Sequence, residues 1–249
     1  MTECSGHFAK GSVPCDEKGK TSKMADMGKF RIEGYIEELI NILKDAFGER
    51  LAYIGLQGSY LRKEETENSD IDIMAVIDSL SVEDLKTYQD ALVLVGNFEK
   101  SCGFICSRSD LEHWNPLEIC HLLHATKDFY GELKSLVPAY TIEEERNYVK
   151  LSLNNLYHEI CHRYIHADRE QNISKLPITC KSVFFIMQHL YYLDSGNFIS
   201  TKRELLECIQ GEDKSVLELS ITLQNDNDYD FDKAFSVLFH WCQNALTRI

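Results

Sequence analysis

Leu51-Ala-Tyr-Ile-Gly-Leu-Gln-Gly-Ser-Tyr-Leu-Arg62 is followed, after a polar loop, by Asn68-Ser-Asp-Ile-Asp-Ile-Met-Ala-Val-Ile77. An apolar run ends in a Gly-Ser turn, and a second apolar run opens on two aspartates one residue apart. In a strand, side chains i and i+2 share a face, so Asp70 and Asp72 are expected to project together. Two carboxylates held side by side repel each other unless a cation sits between them. Their oxygens suit Mg²⁺, which takes one or two carboxylates together with substrate phosphates. The turn at Gly58 and Ser59 offers backbone N–H groups and a hydroxyl, and a glycine lets the chain approach a phosphate closely.

This order of strand, Gly-Ser turn, loop and Asp-x-Asp strand resembles the nucleotidyltransferase superfamily with the DNA polymerase β-like catalytic fold. Gly58, Ser59, Asp70 and Asp72 match its signature, and Ser69-Asp-Ile-Asp72 follows the common form of it. The resemblance implies a catalytic domain over roughly residues 30 to 135. It implies Asp70 and Asp72 as catalytic residues holding two Mg²⁺ ions, and Gly58 and Ser59 as nucleotide-binding residues for ATP or another nucleoside triphosphate. Arg62 stands where many members carry a basic residue after Gly-Ser.

Composition is that of an ordinary globular protein, with 44% hydrophobic and 27% charged residues. The net charge of −14 disfavours general nucleic-acid binding, which depends on Lys and Arg neutralising phosphates. It also disfavours anionic membranes, and no stretch is apolar enough for a transmembrane helix. The nine cysteines are odd in number and mostly sit in apolar periodic segments. That reads as reduced thiols in a cytoplasmic protein. Residues 1–28 are polar and read as a flexible leader.

Phe30 to Phe47 has helical spacing, with Gly48 as a stop. Leu51–Leu56, Ile71–Ile77 and Gly103–Cys106 read as strands. Ser81-Val-Glu-Asp opens a helix that runs to about Val95. Asn115-Pro116 starts another helix, with Asn as cap and Pro in the first turn. Beyond Pro138 only helices are expected: Thr141–Ala167, Ser174–Leu193, Thr201–Ile209 and Phe231–Leu246. The fold class is therefore an α/β (α+β) catalytic domain with a small mixed sheet, residues 29–138, then an all-α helical bundle, residues 139–249.

Leu190-Tyr-Tyr-Leu-Asp-Ser-Gly-Asn-Phe-Ile-Ser-Thr-Lys202 is similar to a segment of the helical domain of aminoglycoside adenylyltransferases. The resemblance implies that Lys202 reaches the triphosphate; Lys181 is a weaker phosphate candidate. The family carries a third carboxylate on a later strand, as metal ligand or base. The strand expected at Gly103–Ser107 holds no acid, so Asp110, and after it Glu112, are the candidates. His158-Glu-Ile-Cys-His162 is also a literal zincin motif, with His166 on the same helix face. Zincins need a third ligand, and the metzincin continuation is absent.

The expectation is an enzyme moving a nucleoside monophosphate, AMP from ATP, to a hydroxyl of a small-molecule acceptor such as an antibiotic. Its partners are then the nucleotide and the acceptor, with no nucleic acid and no membrane, and the protein is a monomer or homodimer. An alternative is an inactive nucleotide-binding or antitoxin-like regulatory module acting through a partner protein.

Overall fold

The computed structural model describes residues 30–225 and 228–249; the leader expected over 1–28 lies outside them. Helix α1 (Ile32–Phe47) presents Tyr35, Ile36, Leu39, Ile40, Leu43 and Phe47 as one buried stripe, the spacing of an amphipathic helix. Strands β1 (Leu51–Leu56), β2 (Ile71–Ile77), β3 (Ser101–Cys106) and β4 (Lys127–Tyr130) form one mixed sheet in the order β3-β2-β1-β4. β1 runs antiparallel to β2 and β4, and β2 runs parallel to β3. A parallel pair needs a crossover, which α3 (Val82–Val95) supplies. Its start is fixed by a reciprocal cap: Ser81 Oγ accepts from the Asp84 amide, and Asp84 accepts from the Ser81 amide. Arg50 grips the same carboxylate through two bonds of 2.8 and 2.9 Å.

The alternation of β2 builds both faces of the sheet. Ile71, Ile73, Ala75 and Ile77 pack with α1. Met74 and Val76 turn the other way, against Tyr53, Cys106, Leu111, Leu133 and Leu136. That second face is met by α4 (Arg108–Glu112) and α5 (Pro116–Ala125). The chain then continues as α6 (Ile142–His166), α7 (Arg169–Thr179), α8 (Lys181–Ser195), α9 (Lys202–Cys208), α10 (Gly211–Asn225) and α11 (Phe231–Arg248). Their core is a separate cluster centred on Leu153, Phe184, Met187, Leu217, Leu238 and Trp241.

Three elements depart from the sequence reading. The helix expected over Ser174–Leu193 is two helices, α7 and α8, meeting at Cys180. The carbonyls at the junction are taken by side chains: Ser182 Oγ donates to Thr179 O and Ser220 Oγ to Cys180 O. Pro177 has no N–H to offer Ile173 O, and Tyr229 Oη donates to that carbonyl instead. β4 is a four-residue strand at the sheet edge, too short to show a period. α10 buries Ser220 among Val216, Leu217 and Leu223, and the hydroxyl interrupts its apolar stripe. No helix among the described residues is long and apolar enough to cross a membrane.

β3 can pair with β2 only through a glycine. Gly103 lies opposite Ile73 with φ +130, and a Cβ there would fall 2.0 Å from Ile73 O. Gly103→Ala is expected to destabilise the fold by at least about 1–3 kcal/mol through backbone strain. The measurement is the urea midpoint; an unchanged midpoint would mean that β3 tolerates a side chain there.

Candidate active site

The period that sends Met74 and Val76 to the second face of the sheet sends Asp72 there too. Its neighbour across the turn is the start of α2 (Gly58–Arg62), which follows β1 directly. The Gln57 amide donates to Asp72 O at 2.9 Å, and Gln57 Nε2 donates to Thr126 Oγ1 at 2.8 Å. Gly58 sits at φ +69, and a Cβ on it would lie 1.8 Å from Asp72 Oδ2. The carboxylate thus lies against a bare α carbon, and no other residue type fits. Ser59 follows in the first turn of α2.

From β3, Cys102 pairs in register with Asp72, and its thiol donates a hydrogen bond to the carboxylate. Burial pushes the Asp72 carboxyl above the usual carboxylate range, and the charge of Asp70 adds to the rise. The Cys102 hydrogen bond and the Arg62 charge oppose it. Asp70 stands exposed at the mouth of β2. Among the described residues neither aspartate has an ion-pair partner. A half-buried carboxylate with a like-charged neighbour is the environment that a divalent cation neutralises. These residues therefore fit the metal that the Asp-x-Asp pattern implies.

The cations gather at the other end of α2. Arg62 lies over the rings of Phe184 and Phe185 on α8, at 5.6 and 5.7 Å. Lys202, first residue of α9, also lies over Phe184, at 5.7 Å. Glu64 joins them: it accepts from Arg62 Nε at 3.2 Å and from the Lys202 amide at 2.7 Å. Burial lowers the Lys202 ammonium below its ordinary range, opposed by Glu64 and reinforced by Arg62 and Lys181. The positive charges of Arg62 and Lys181 act against that of Lys202, a repulsion that a bound polyanion would relieve.

Sequence position alone misplaces the third acid. Asp110 is the capping residue of α4: it accepts from the Ser107 amide at 2.8 Å, and that bond holds its carboxyl below the usual range. Since Asp72 pairs with Cys102 and Val76 with Cys106, Asp110 lies past the end of β3 away from the aspartates. Glu112 closes the same short helix. Nothing local in the sequence signals Glu64 or Cys102, one lying in a run of charges and the other just before the expected strand. The zincin-like segment is exposed on α6, and Glu159 is occupied by Arg163 at 2.6 Å and Thr179 at 2.8 Å.

Beside the aspartates, on the same sheet face, a cavity of about 290 Å³ is lined by Phe104, Trp114, Glu118, His121, Leu122 and Tyr148. Phe104 is two residues along β3 from Cys102. Trp114 Nε1 donates to Glu118 Oε2 at 2.8 Å and meets Phe104 edge-on at 5.0 Å between ring centres. Aromatic walls with one carboxylate and one imidazole suit a polar or cationic small molecule.

The nucleotidyltransferase domain family matches residues 36–108, the segment that carries this site. That match covers β1, β2 and β3 with the helices between them, and the helical C-terminal part lies outside it. Among solved structures, this chain is similar to the spectinomycin adenyltransferase AAD(9) from Enterococcus faecialis, solved with ATP and spectinomycin. The two are 14% identical with a TM-score of 0.57, over 86% of this chain and 98% of that one. That likeness extends the shared fold through the helical part. A toxin-antitoxin solved with AMP-PNP also matches, at 21% identity and a TM-score of 0.31, over 53% of this chain and 93% of that one. No curated protein matches the sequence.

The raised Asp72 carboxyl has a consequence for stability. The folded state holds that proton more tightly than the unfolded chain does. The resulting stabilisation is full below the unfolded value, about 4, and is lost as pH rises through the raised folded value. In EDTA, Asp72→Asn is therefore expected to melt a few degrees above wild type at pH 7. The two should converge in acid. A variant that melts lower at pH 7 would show that Asp72 stabilises the empty fold.

Proposed function

We propose that this protein transfers a nucleoside monophosphate, AMP from ATP, to a hydroxyl of a small-molecule acceptor. One observation carries the reading: Gly58, Ser59, Asp70 and Asp72 meet at one end of α2, while Arg62 and Lys202 converge at its other end. Gly58 and Ser59 would receive the β- and γ-phosphates at the turn, and Lys202 and Arg62 the triphosphate charge. Asp70 and Asp72 would hold two Mg²⁺ ions, which when bound supply positive charge to the reacting phosphate and the leaving pyrophosphate. The protein's own part is positioning: the sheet fixes the carboxylates, and the bundle brings Lys202 and the Phe184 ring to Arg62. The aromatic cavity beside the pair would hold the acceptor. The neighbouring enzyme's spectinomycin suggests an aminocyclitol as the first compound to try. The domain organisation expected from the sequence, 29–138 and 139–249, fits a nucleotide bound where α2 meets α8 and α9.

The lack of a carboxylate on β3 favours one other reading, a nucleotide-binding regulatory module without transfer activity. Calorimetry with Mg·ATP and pyrophosphate release with spectinomycin separate the two. Wild type is expected to bind Mg·ATP, and Asp70→Asn/Asp72→Asn to lose metal-dependent binding. Lys202→Ala should weaken it about tenfold to a hundredfold, the value of one charge-assisted contact. Gly58→Ala should abolish it, because the Cβ displaces the Asp72 carboxylate. No binding by wild type would refute both readings; binding without pyrophosphate release would favour the regulatory module.

A further inference from the structure

Three helices deliver a chain of hydrogen bonds to the wall of the aromatic cavity. Glu145 on α6 and His189 on α8 are both fully buried. Glu145 Oε1 is hydrogen-bonded to His189 Nδ1, and His189 Nε2 lies 2.9 Å from His121 Nδ1 on α5. The direction of these bonds follows from chemistry. A carboxylate only accepts, so His189 Nδ1 donates to Glu145. A neutral imidazole has one donor and one acceptor, so His189 Nε2 accepts. His121 Nδ1 then donates, and its Nε2 keeps a free lone pair. It is the ring nitrogen left outside the chain, and His121 is one of the residues lining the cavity.

We propose that His121 is the general base of this enzyme, with His189 and Glu145 as positioning residues that hold its tautomer and supply the counter-charge. The proposal rests on the nucleotidyl-transfer reading above. The acceptor hydroxyl gives its proton to His121 Nε2 as its oxygen bonds to the α-phosphorus. The bond from that phosphorus to the bridging oxygen breaks, and pyrophosphate leaves with the electron pair. A carboxylate at the far end of the chain stabilises the imidazolium that forms, which is the logic of a relay.

Three further observations agree. β3 carries no acid, and Asp128, the acid of β4, already accepts from Tyr53 Oη at 2.6 Å. The charge of Arg62 acts on both His121 and Asp72. Burial, helped by His189, His124 and Arg62, holds the His121 imidazole down at about 3, so the resting ring is neutral and carries a lone pair on the nitrogen that does not donate. The charged and titratable groups around it are Arg62 from α2, Glu118 and His124 on its own helix, Glu145 and Tyr148 from α6, and His189 from α8.

Donor atoms of Cys120, Glu145 and His189 lie within 4.8 Å of one another, close enough to share a metal ion. Their hydrogen bonds argue against one. Both His189 nitrogens are already engaged, and Cys120 Sγ lies 2.9 Å from Leu117 O, as in a thiol–carbonyl hydrogen bond. A metal would have to break these bonds. Glu145 Oε2, buried without a hydrogen-bond partner among the described residues, is the free end of a carboxylate whose other oxygen works.

The test uses full-length protein and begins with Mg·ATP affinity. Absence of binding in wild type would remove the nucleotide reading itself and, with it, the relay. Imidazole ¹⁵N NMR then reports the tautomers directly: protonated Nδ1 and bare Nε2 on both His121 and His189. A proton on His121 Nε2 would overturn the proposal. So would one equivalent of zinc in the purified protein with a cobalt–thiolate band on substitution. In pyrophosphate release, with spectinomycin as acceptor and water as background, His121→Ala should lower kcat about 10²- to 10⁴-fold. Its Mg·ATP affinity should be unchanged, and added imidazole should restore turnover. Glu145→Gln should shift the His189 tautomer and depress kcat. Wild-type turnover in His121→Ala, or a loss that imidazole cannot rescue, would overturn the role of His121.

Discussion

The contact between the Asp72 carboxylate and the bare α carbon of Gly58 is the constraint around which this protein is arranged. It fixes the turn after β1 against β2, and so fixes where α2 starts. Because α2 starts there, Arg62 reaches the bundle and Glu64 reaches the first turn of α9. The sheet carries this contact at a cost to itself. A carboxylate is held half-buried beside another, with the Cys102 thiol hydrogen-bonded to it. Sites that bind ions are commonly built at the expense of the empty fold, and here the expense can be assigned to one residue.

Two separate cores meet at that point. One is the sheet with α1 on its first face and α4 and α5 on its second; the other is the bundle from α6 onward. What lies between them is chemically selective. Arg62, Lys202 and the Phe184 ring form one cluster, and Trp114, Glu118, His121 and Tyr148 line the aromatic cavity. Positive charge is thus gathered locally in a chain that carries a net charge of −14. Attraction of a triphosphate depends on the local cluster rather than on the overall field.

The sequence is most legible where the physics is local. Gly58, Ser59, Asp70 and Asp72 are recoverable from strand period and turn chemistry. The starts of α3, α5 and α6 are recoverable from Ser81, Asn115 and Thr141, because caps are made by residues within three of one another. Lys202 is recoverable only through a resemblance. What depends on tertiary packing is invisible. The split at Cys180 rests on hydroxyls from Ser182 and Ser220, and the latter lies forty residues away. Cys102 matters because of the β2–β3 register, and Glu145, His121 and His189 matter because three helices cross. Their histidines look like ordinary members of apolar helix faces, since burial and function leave the same local pattern there. The zincin-like segment shows the opposite: a perfect local match sits on an exposed helix face with its glutamate already engaged.

The fit of Gly58 to Asp72 also bears on how such a protein can change over generations. Neither position can drift alone while the carboxylate stays. A side chain at 58 is excluded by Asp72, whereas a smaller, neutral residue at 72 would lift the ban on 58 except for its backbone angle. Decay of the site should therefore proceed in one order, the acid first and the glycine afterwards. This chain retains both members of the pair, and so retains the packing conflict between them.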